Sequence, residues 1–251
     1  MKTTGFGTFF ELGGRGAMES LSRTGLDYVI IDTEHGCFSE ETAADLILAA
    51  ERGGLLPWVR IGDIRRPYVL RMLDIGARAL IIPNIRSVEQ VRDLIDVAKF
   101  PPLGRRGYCP NRTSGWGADE WSKDVFSYME ECNRRCKLIP QCETKEALEH
   151  IEEIAALDGV DGVFIGPCDL SIDLGIPLQF DSPILLAAVE RILRACRDHG
   201  KEAHIFAGNM KDAVKWASLG FDSVTYNLDA SVLIGAYRDL AKQFQEGIAG
   251  T

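Results

Sequence analysis

No run of apolar residues in this chain reaches the length of about 18 that a bilayer span needs; charges interrupt even the longest. Net positive charge is also lacking. The 28 Lys and Arg stand against 37 Asp and Glu, a formal balance of -9 that does not fit a nucleic-acid or anionic-membrane surface. No G-x-G-x-x-G follows a strand-like run and opens a helix-like one. Gly13-Gly14-Arg15-Gly16 lacks the third glycine at the required spacing, so a turn is expected there and not a dinucleotide site. Seven cysteines, an odd number, are scattered, and the one close pair, Cys132 and Cys136, has no second pair at zinc spacing. Neither a structural zinc nor a disulfide framework is expected; reduced thiols in the cytoplasm are. The opening residues Met1 to Phe6 have no long apolar core and no clear cleavage site, so no secretory leader is expected. Repeats, low-complexity tracts and linkers are missing too, and a single domain over residues 1–251 follows as the expectation.

What is present is an alternation. Short β-rich runs near residues 5–12, 28–33, 57–61, 79–85, 137–143, 162–166, 203–207 and 223–228 are separated by amphipathic segments. The spacing predicts helices over 39–52, 86–98, 144–157 and 182–200. Ser39 can N-cap the first, with Glu40 and Glu41 in its opening turn and Gly53-Gly54 as its stop. Eight strands alternating with helices in 251 residues predict an α/β fold, a closed (β/α)8 TIM barrel, with a doubly wound open sheet as the alternative. Residues 101–136, rich in Pro, Gly and Arg, break the rhythm and predict a long functional connection or minor helices.

Four apolar runs end in ionisable residues, and parallel α/β folds keep their chemistry at the carboxyl ends of strands. Tyr28-Val29-Ile30-Ile31 runs into Asp32-Thr33-Glu34-His35; Trp58-Val59 into Arg60; Gln141-Cys142 into Glu143; Gly166-Pro167-Cys168 into Asp169. On neighbouring fifth and sixth strands, Glu143 and Asp169 would sit side by side. Two carboxylates plus water and substrate oxygens make a hard-cation site suited to Mg²⁺ or Mn²⁺, whereas a helix cap or dipole partner is the alternative for either acid. Asp32 three residues before His35 fits an aspartate that fixes an imidazole as general base; a structural hydrogen bonder is the alternative for His35. Arg60 can hold a carboxylate or enolate oxygen in its fork, or close a structural salt bridge. The backbone around Gly166 and Cys168 could receive an anion. His150 and His199 read as helix-surface residues and His204 as a core histidine. No lysine falls at the inward carboxyl end of a predicted strand, which argues against Schiff-base chemistry.

Together these residues resemble the HpcH/HpaI family of class II, metal-dependent pyruvate aldolases, the 4-hydroxy-2-oxoheptanedioate and 2-keto-3-deoxy-sugar-acid aldolase group. The resemblance spans roughly residues 13–240. It rests on the four strand endings, on Leu73-Asp74-Ile75-Gly76-Ala77, and on Pro101-Pro102-Leu103-Gly104-Arg105-Arg106-Gly107. It implies reversible cleavage of a 4-hydroxy-2-oxo acid to pyruvate, or a close 2-oxo acid, and an aldehyde. It further implies a divalent cation (Mg²⁺ or Mn²⁺, with Co²⁺ a further candidate) on Glu143 and Asp169, and Arg60 on the pyruvate oxygen. His35, oriented by Asp32, would do acid/base work. Gln141, Gly166, Cys168, Asp169 and Phe206 are the accompanying substrate-binding candidates, and Asp74 is placed near a subunit boundary and the active site. A homo-hexamer is implied, with the last helix packing on a neighbouring subunit. Phe206 and the stretch Tyr108-Cys109-Pro110-Asn111-Arg112 depart from the family pattern at places expected to face the aldehyde. Another enolate-forming lyase, a decarboxylase or CoA-ester lyase, and a non-catalytic 2-oxo acid sensor are the alternatives.

Overall fold

Hydrophobic alternation with a period of two gives each strand one face toward the barrel axis and one toward the helices. In the computed structural model, which describes residues 4–249, the strands are β1 (Gly5–Phe10), β2 (Tyr28–Asp32), β3 (Leu56–Arg60), β4 (Ala79–Ile82), β5 (Lys137–Cys142), β6 (Gly162–Ile165), β7 (Glu202–Ala207) and β8 (Ser223–Leu228). All neighbours are parallel and β8 closes on β1, so the barrel runs in chain order. The open sheet is ruled out. The helices are α1 (Arg15–Leu21), α2 (Glu40–Gly53), α3 (Arg66–Asp74), α4 (Val88–Ala98), α5 (Val125–Arg135), α6 (Lys145–Glu149), α7 (Ile151–Ala156), α8 (Pro167–Asp173), α9 (Pro183–Asp198), α10 (Met210–Leu219) and α11 (Asp229–Ala249).

Two buried layers follow from the alternation. Val29, Ile31, Val59, Leu80 and Ile82 pack outward against the helices. Phe9, Tyr28, Ile30, Trp58, Ile139 and Phe164 fill the barrel itself. Tyr28 stacks on Trp58 with ring centroids 4.1 Å apart, and its hydroxyl is 2.7 Å from that of Thr225. His204 is a core residue, as expected; its Nδ1 lies 2.8 Å from the Ser223 hydroxyl and its ring meets Trp58 edge-on.

Several boundaries differ from the predicted ones for local reasons. The first strand stops at Phe10, not residue 12, because the Asp229 carboxylate takes the amides of Glu11 and Leu12. The fourth stops at Ile82, not residue 85, and Asn84 turns into the left-handed region at φ 52°. The helix expected over 144–157 is two helices, since His150 leaves helical geometry at φ -104°, ψ 17°. Residues 101–136 carry two short 3₁₀ turns, Arg112–Gly117 and Glu120–Ser122, and then α5. Tyr128 and Cys132 of α5 pack with Phe100 as a satellite core. Helix α11 meets the barrel through β1 and β8 and has no buried residue; Tyr237 is 67% exposed and Phe244 66%.

Gly7 shows how tightly the barrel is filled. A Cβ there would lie 2.4 Å from the Tyr28 ring, which is pinned between Trp58 and Thr225. Gly7→Ala is expected to cost about 1–3 kcal/mol through overpacking. Urea denaturation checks this, and an unchanged midpoint would contradict it.

Candidate active site

The inward positions run straight into the site. Two residues beyond Phe9, Ile30, Trp58, Ile139 and Phe164 come Glu11, Asp32, Arg60, Gln141 and Gly166, and Gln141 is followed at the same period by Glu143. A packed apolar layer thus supports a polar one at the carboxyl ends of the strands, the end that carries function in such barrels.

Asp32 and Arg60 are register partners on β2 and β3. The Arg60 Nε donates to Asp32 Oδ1 at 2.9 Å and a terminal nitrogen donates to Oδ2. The amides of Glu34 and His35 also donate to Oδ1, at 3.1 and 3.4 Å. Asp32 has no exposed surface. Burial by itself would raise its pKa, but the Arg60 fork and those amides outweigh burial and hold the carboxyl below its usual range. Arg60 lies over the Phe9 ring, 4.5 Å from its centroid, which fixes the guanidinium further. The expected Asp32–His35 imidazole pair is therefore corrected. Asp32 reaches His35 through its amide only, because Arg60 is the strand neighbour and takes both carboxylate oxygens. The imidazole Nε2 instead faces Glu34 Oε2 at 3.7 Å, and Glu34 also lies 3.3 Å from Arg60 Nε.

On the other side of the mouth, Glu143 Oε1 accepts the Asn84 amide at 2.6 Å and its Oε2 accepts from Gln141 Nε2. The left-handed turn at Asn84, a conformation asparagine tolerates, aims that amide. Burial pushes the Glu143 carboxyl up; the Asn84 amide and Gln141 pull it back, and Asp169 and Glu34 push it up again. Gly166 must be glycine-sized here, because a Cβ would sit 2.8 Å from Glu143 Oε2 and 2.9 Å from Gln141 Nε2. Asp169 stands in the first turn of α8.

A cation suits this corner. Glu143 is a carboxylate pushed up by burial first and by its acidic neighbours after that, and the buried Gln141 Oε1 has no hydrogen-bond partner. Both defects are relieved by a positive ion with a hydration shell. Among the described residues no group of three or more His, Cys, Asp and Glu could hold a metal. The corner offers two carboxylates, Glu143 and Asp169, on the wall of one cavity.

His35, Arg60, Gln141, Gly166, Cys168, Asp169 and Phe206 all line one cavity of about 420 Å³. Glu143 and Asp169 line an adjoining one of about 320 Å³, shared with His35 and Glu34. Asp32 lies beneath the first cavity and not on its wall. Burial, then Asp169, raises the Cys168 thiol, which favours its neutral form. Asp74, expected near a subunit boundary, and the stretch expected to face the aldehyde both lie away from this chain's own mouth. Asp74 ends α3 and binds Arg106 at 2.8 Å and Asn111 at 2.9 Å. Tyr108 packs on Tyr128, and Arg112 binds Glu51, so the stretch 108–112 does not reach this chain's own cavity. The reason is topological, since helices after parallel strands end at the opposite face of the barrel. Buried Lys99 is committed at that face, to Asp161 at 3.0 Å and to the carbonyls of Asn133 and Cys136. The sequence reading missed Glu11 and Asn84. Glu11 was signalled by its period-two spacing from Phe9; Asn84, acting through its amide, carried no side-chain signal.

The match to the HpcH/HpaI aldolase/citrate lyase model covers residues 6–236, and the chain belongs to that family. It is 31% identical over 246 residues to a hydroxypyruvate/pyruvate aldolase of Roseobacter denitrificans, covering 96% of this chain and 93% of that one. A 2-keto-3-deoxy-L-rhamnonate aldolase of Klebsiella pneumoniae is 33% identical over 213 residues, 84% of this chain and 78% of the relative. Among solved structures, an HpcH/HpaI aldolase/citrate lyase family protein from Burkholderia cenocepacia superposes with a TM-score of 0.89 at 29% identity, over 97% of this chain and 95% of that one.

Removing the Asp32 carboxylate strands a buried guanidinium. Asp32→Ala is expected to cost about 3–5 kcal/mol near neutral pH. The folded pKa of Asp32 is depressed, so its contribution is present above the ordinary carboxylate range and is lost as pH falls through the lower folded value. Denaturant titrations at neutral and acidic pH check this; a variant equally deficient at both would contradict it.

Proposed function

We propose that this protein catalyses reversible aldol cleavage of a 4-hydroxy-2-oxo acid to pyruvate, or a close 2-oxo acid, and an aldehyde. The observation that carries the reading is the immobilised Arg60 fork opposite the Glu143 and Asp169 carboxylates in one mouth. Charge develops on the C2 oxygen as the C3–C4 bond breaks, and a donor fixed in advance stabilises it there. The names of the relatives, a hydroxypyruvate/pyruvate aldolase and a 2-keto-3-deoxy-L-rhamnonate aldolase, support an aldol reaction of a 2-oxo acid.

Arg60 holds the C2 oxygen, and the first turn of α8 beyond Gly166 presents amides toward the acid's carboxylate. His35 takes the proton of the C4 hydroxyl. The C3–C4 electron pair passes into the C2–C3 bond, the aldehyde leaves, and C3 of the enolate then takes a proton from water to give the 2-oxo acid. Glu143 and Asp169 would hold a divalent cation, whose chemistry is Lewis-acid polarisation of the 2-oxo acid's oxygens. An all-oxygen, open donor set favours Mg²⁺ or Mn²⁺ and can accept Co²⁺. Phe9, Phe164 and Phe206 give the cavity its apolar wall.

The working unit is a homo-oligomer, a hexamer by the family resemblance, of one-domain subunits. Leu233, Tyr237, Leu240 and Phe244 form an exposed stripe along α11, and an apolar groove of about 450 Å³ opens at the root of that helix. Both support packing of α11 on a neighbouring subunit. Asp74, bonded to Arg106 and Asn111 away from the mouth, is assigned to the subunit boundary. The compartment is the cytoplasm, a reading supported by seven free cysteines. Among the described residues no helix is long and apolar enough to cross a membrane.

Pyruvate release from a 4-hydroxy-2-oxo acid, coupled to lactate dehydrogenase, is expected with Mn²⁺ and expected to vanish with EDTA or in Glu143→Ala. Full activity in a metal-stripped sample would contradict the cation assignment. His35→Ala is expected to lower kcat by about 100- to 10,000-fold with a much smaller change in KM; an unchanged kcat would remove His35 from the reaction. Sedimentation equilibrium is expected to give six subunits, and a monomer would contradict the oligomer.

A further inference from the structure

We infer that the small cavity beneath the starts of β4 and β5 is a binding site for a monatomic anion of chloride size, held by Arg106 together with Arg78 and Arg135. One donor there is orphaned. The Arg106 side chain is 4% exposed, donates from a terminal nitrogen to Asp74 at 2.8 Å and lies 5.0 Å from the Phe100 ring centroid. Its Nε is nonetheless buried with no hydrogen-bond partner among the described residues. Leaving such a donor bare is costly, and native folds supply it with an acceptor. Arg106 lines a cavity of about 30 Å³ with Arg78, Thr113, Cys132, Arg135 and Cys136. That space suits about one or two waters or a single halide ion, and is too small for a phosphate.

The polar side chains of the wall are donors. A guanidinium has no acceptor. The Thr113 hydroxyl donates to Asn111 at 2.7 Å, and burial keeps the thiols of Cys132 and Cys136 neutral, the latter pushed up to about 11. A water would bring two hydrogens of its own to such a wall; a bare anion brings none. The local charge points the same way. Arg78 and Arg112 share Glu51, at 3.6 and 2.6 Å, and Arg134 and Arg135 share Glu131, each at 2.6 Å. With the Arg106–Asp74 pair, five guanidiniums divide three carboxylates. Carbonyls at the ends of α3 and α5, which repel an anion, are already taken. Ile75 accepts from Arg112 at 3.1 Å, and Asn133 and Cys136 accept from Lys99 at 2.9 and 2.8 Å. Inside the cavity the excess is felt by both thiols: Arg106 and Arg135 draw Cys132 down against burial, and Lys99, Arg106 and Arg78 do so for Cys136.

Bound there, the anion ties the end of α3 to the end of α5, and stability follows its concentration by mass action. Crystals of the wild-type protein exchanged into NaBr are expected to show an anomalous bromide peak in the cavity, within hydrogen-bond range of the Arg106 Nε. In solution, the midpoint of thermal unfolding is expected to rise by about 2–4 °C, and to saturate, as chloride replaces gluconate at constant ionic strength. Arg106→Gln is expected to lose that rise. Arg135→Gln, at a half-buried position on the same wall, serves if Arg106→Gln does not fold. A water, or a side chain of a second copy, where the bromide is expected would overturn the inference. So would bromide bound only elsewhere on the surface, equal midpoints in chloride and gluconate, or a variant that keeps the full rise.

Discussion

The Arg60 guanidinium is held inside the barrel mouth by a carboxylate that has no exposed surface, and the rest of the site is arranged around that pair. A guanidinium buried this deeply is tolerable only with a matched partner. Asp32 supplies the match because β2 and β3 bring the two residues into direct register. The pair also ties down the turn after β2, since Asp32 accepts the amides that set Glu34 and His35 in place. One interaction therefore fixes the Arg60 guanidinium and the loop that carries His35.

The opposite wall of the mouth is built on a different principle. Among the described residues Glu143 pairs with no cation; it accepts an amide and a carboxamide, and its charge is disfavoured by burial and by Asp169 and Glu34. The contrast between the two walls separates the roles. One carboxylate holds an arginine, and the other is left with amide partners in place of a cationic one. Closure of the barrel makes the contrast possible, because β2, β3, β5 and β6 present their last inward residues to one space.

Much of this was legible in the sequence, for one physical reason. Strand period fixes which residues face inward, and Asp32, Arg60, Gln141 and Glu143 share the parity of Ile30, Trp58 and Ile139. What was not legible was the choice of partner. Along the chain, Asp32 reads as the neighbour of His35; across the sheet, it is the neighbour of Arg60, and the cross-strand geometry wins. Asn84 was invisible because its contribution is an amide aimed by a positive φ, to which its side-chain chemistry gives no clue. The family resemblance places Asp74 near a subunit boundary and the active site and the Tyr108–Arg112 stretch toward the aldehyde; in the folded chain both lie where α3 ends, away from this chain's own cavity. The break at His150 escaped the helical pattern because the apolar spacing continues across it.

The central claim is that this mouth makes and stabilises the enolate of a 2-oxo acid with the help of a cation. The most direct test is NMR of pyruvate methyl protons in D₂O with the wild-type protein, once with Mg²⁺ or Mn²⁺ and once with excess EDTA. The account requires exchange that depends on both protein and metal. A folded, metal-loaded protein that leaves the methyl signal unchanged, or one that exchanges equally well in EDTA, would contradict it.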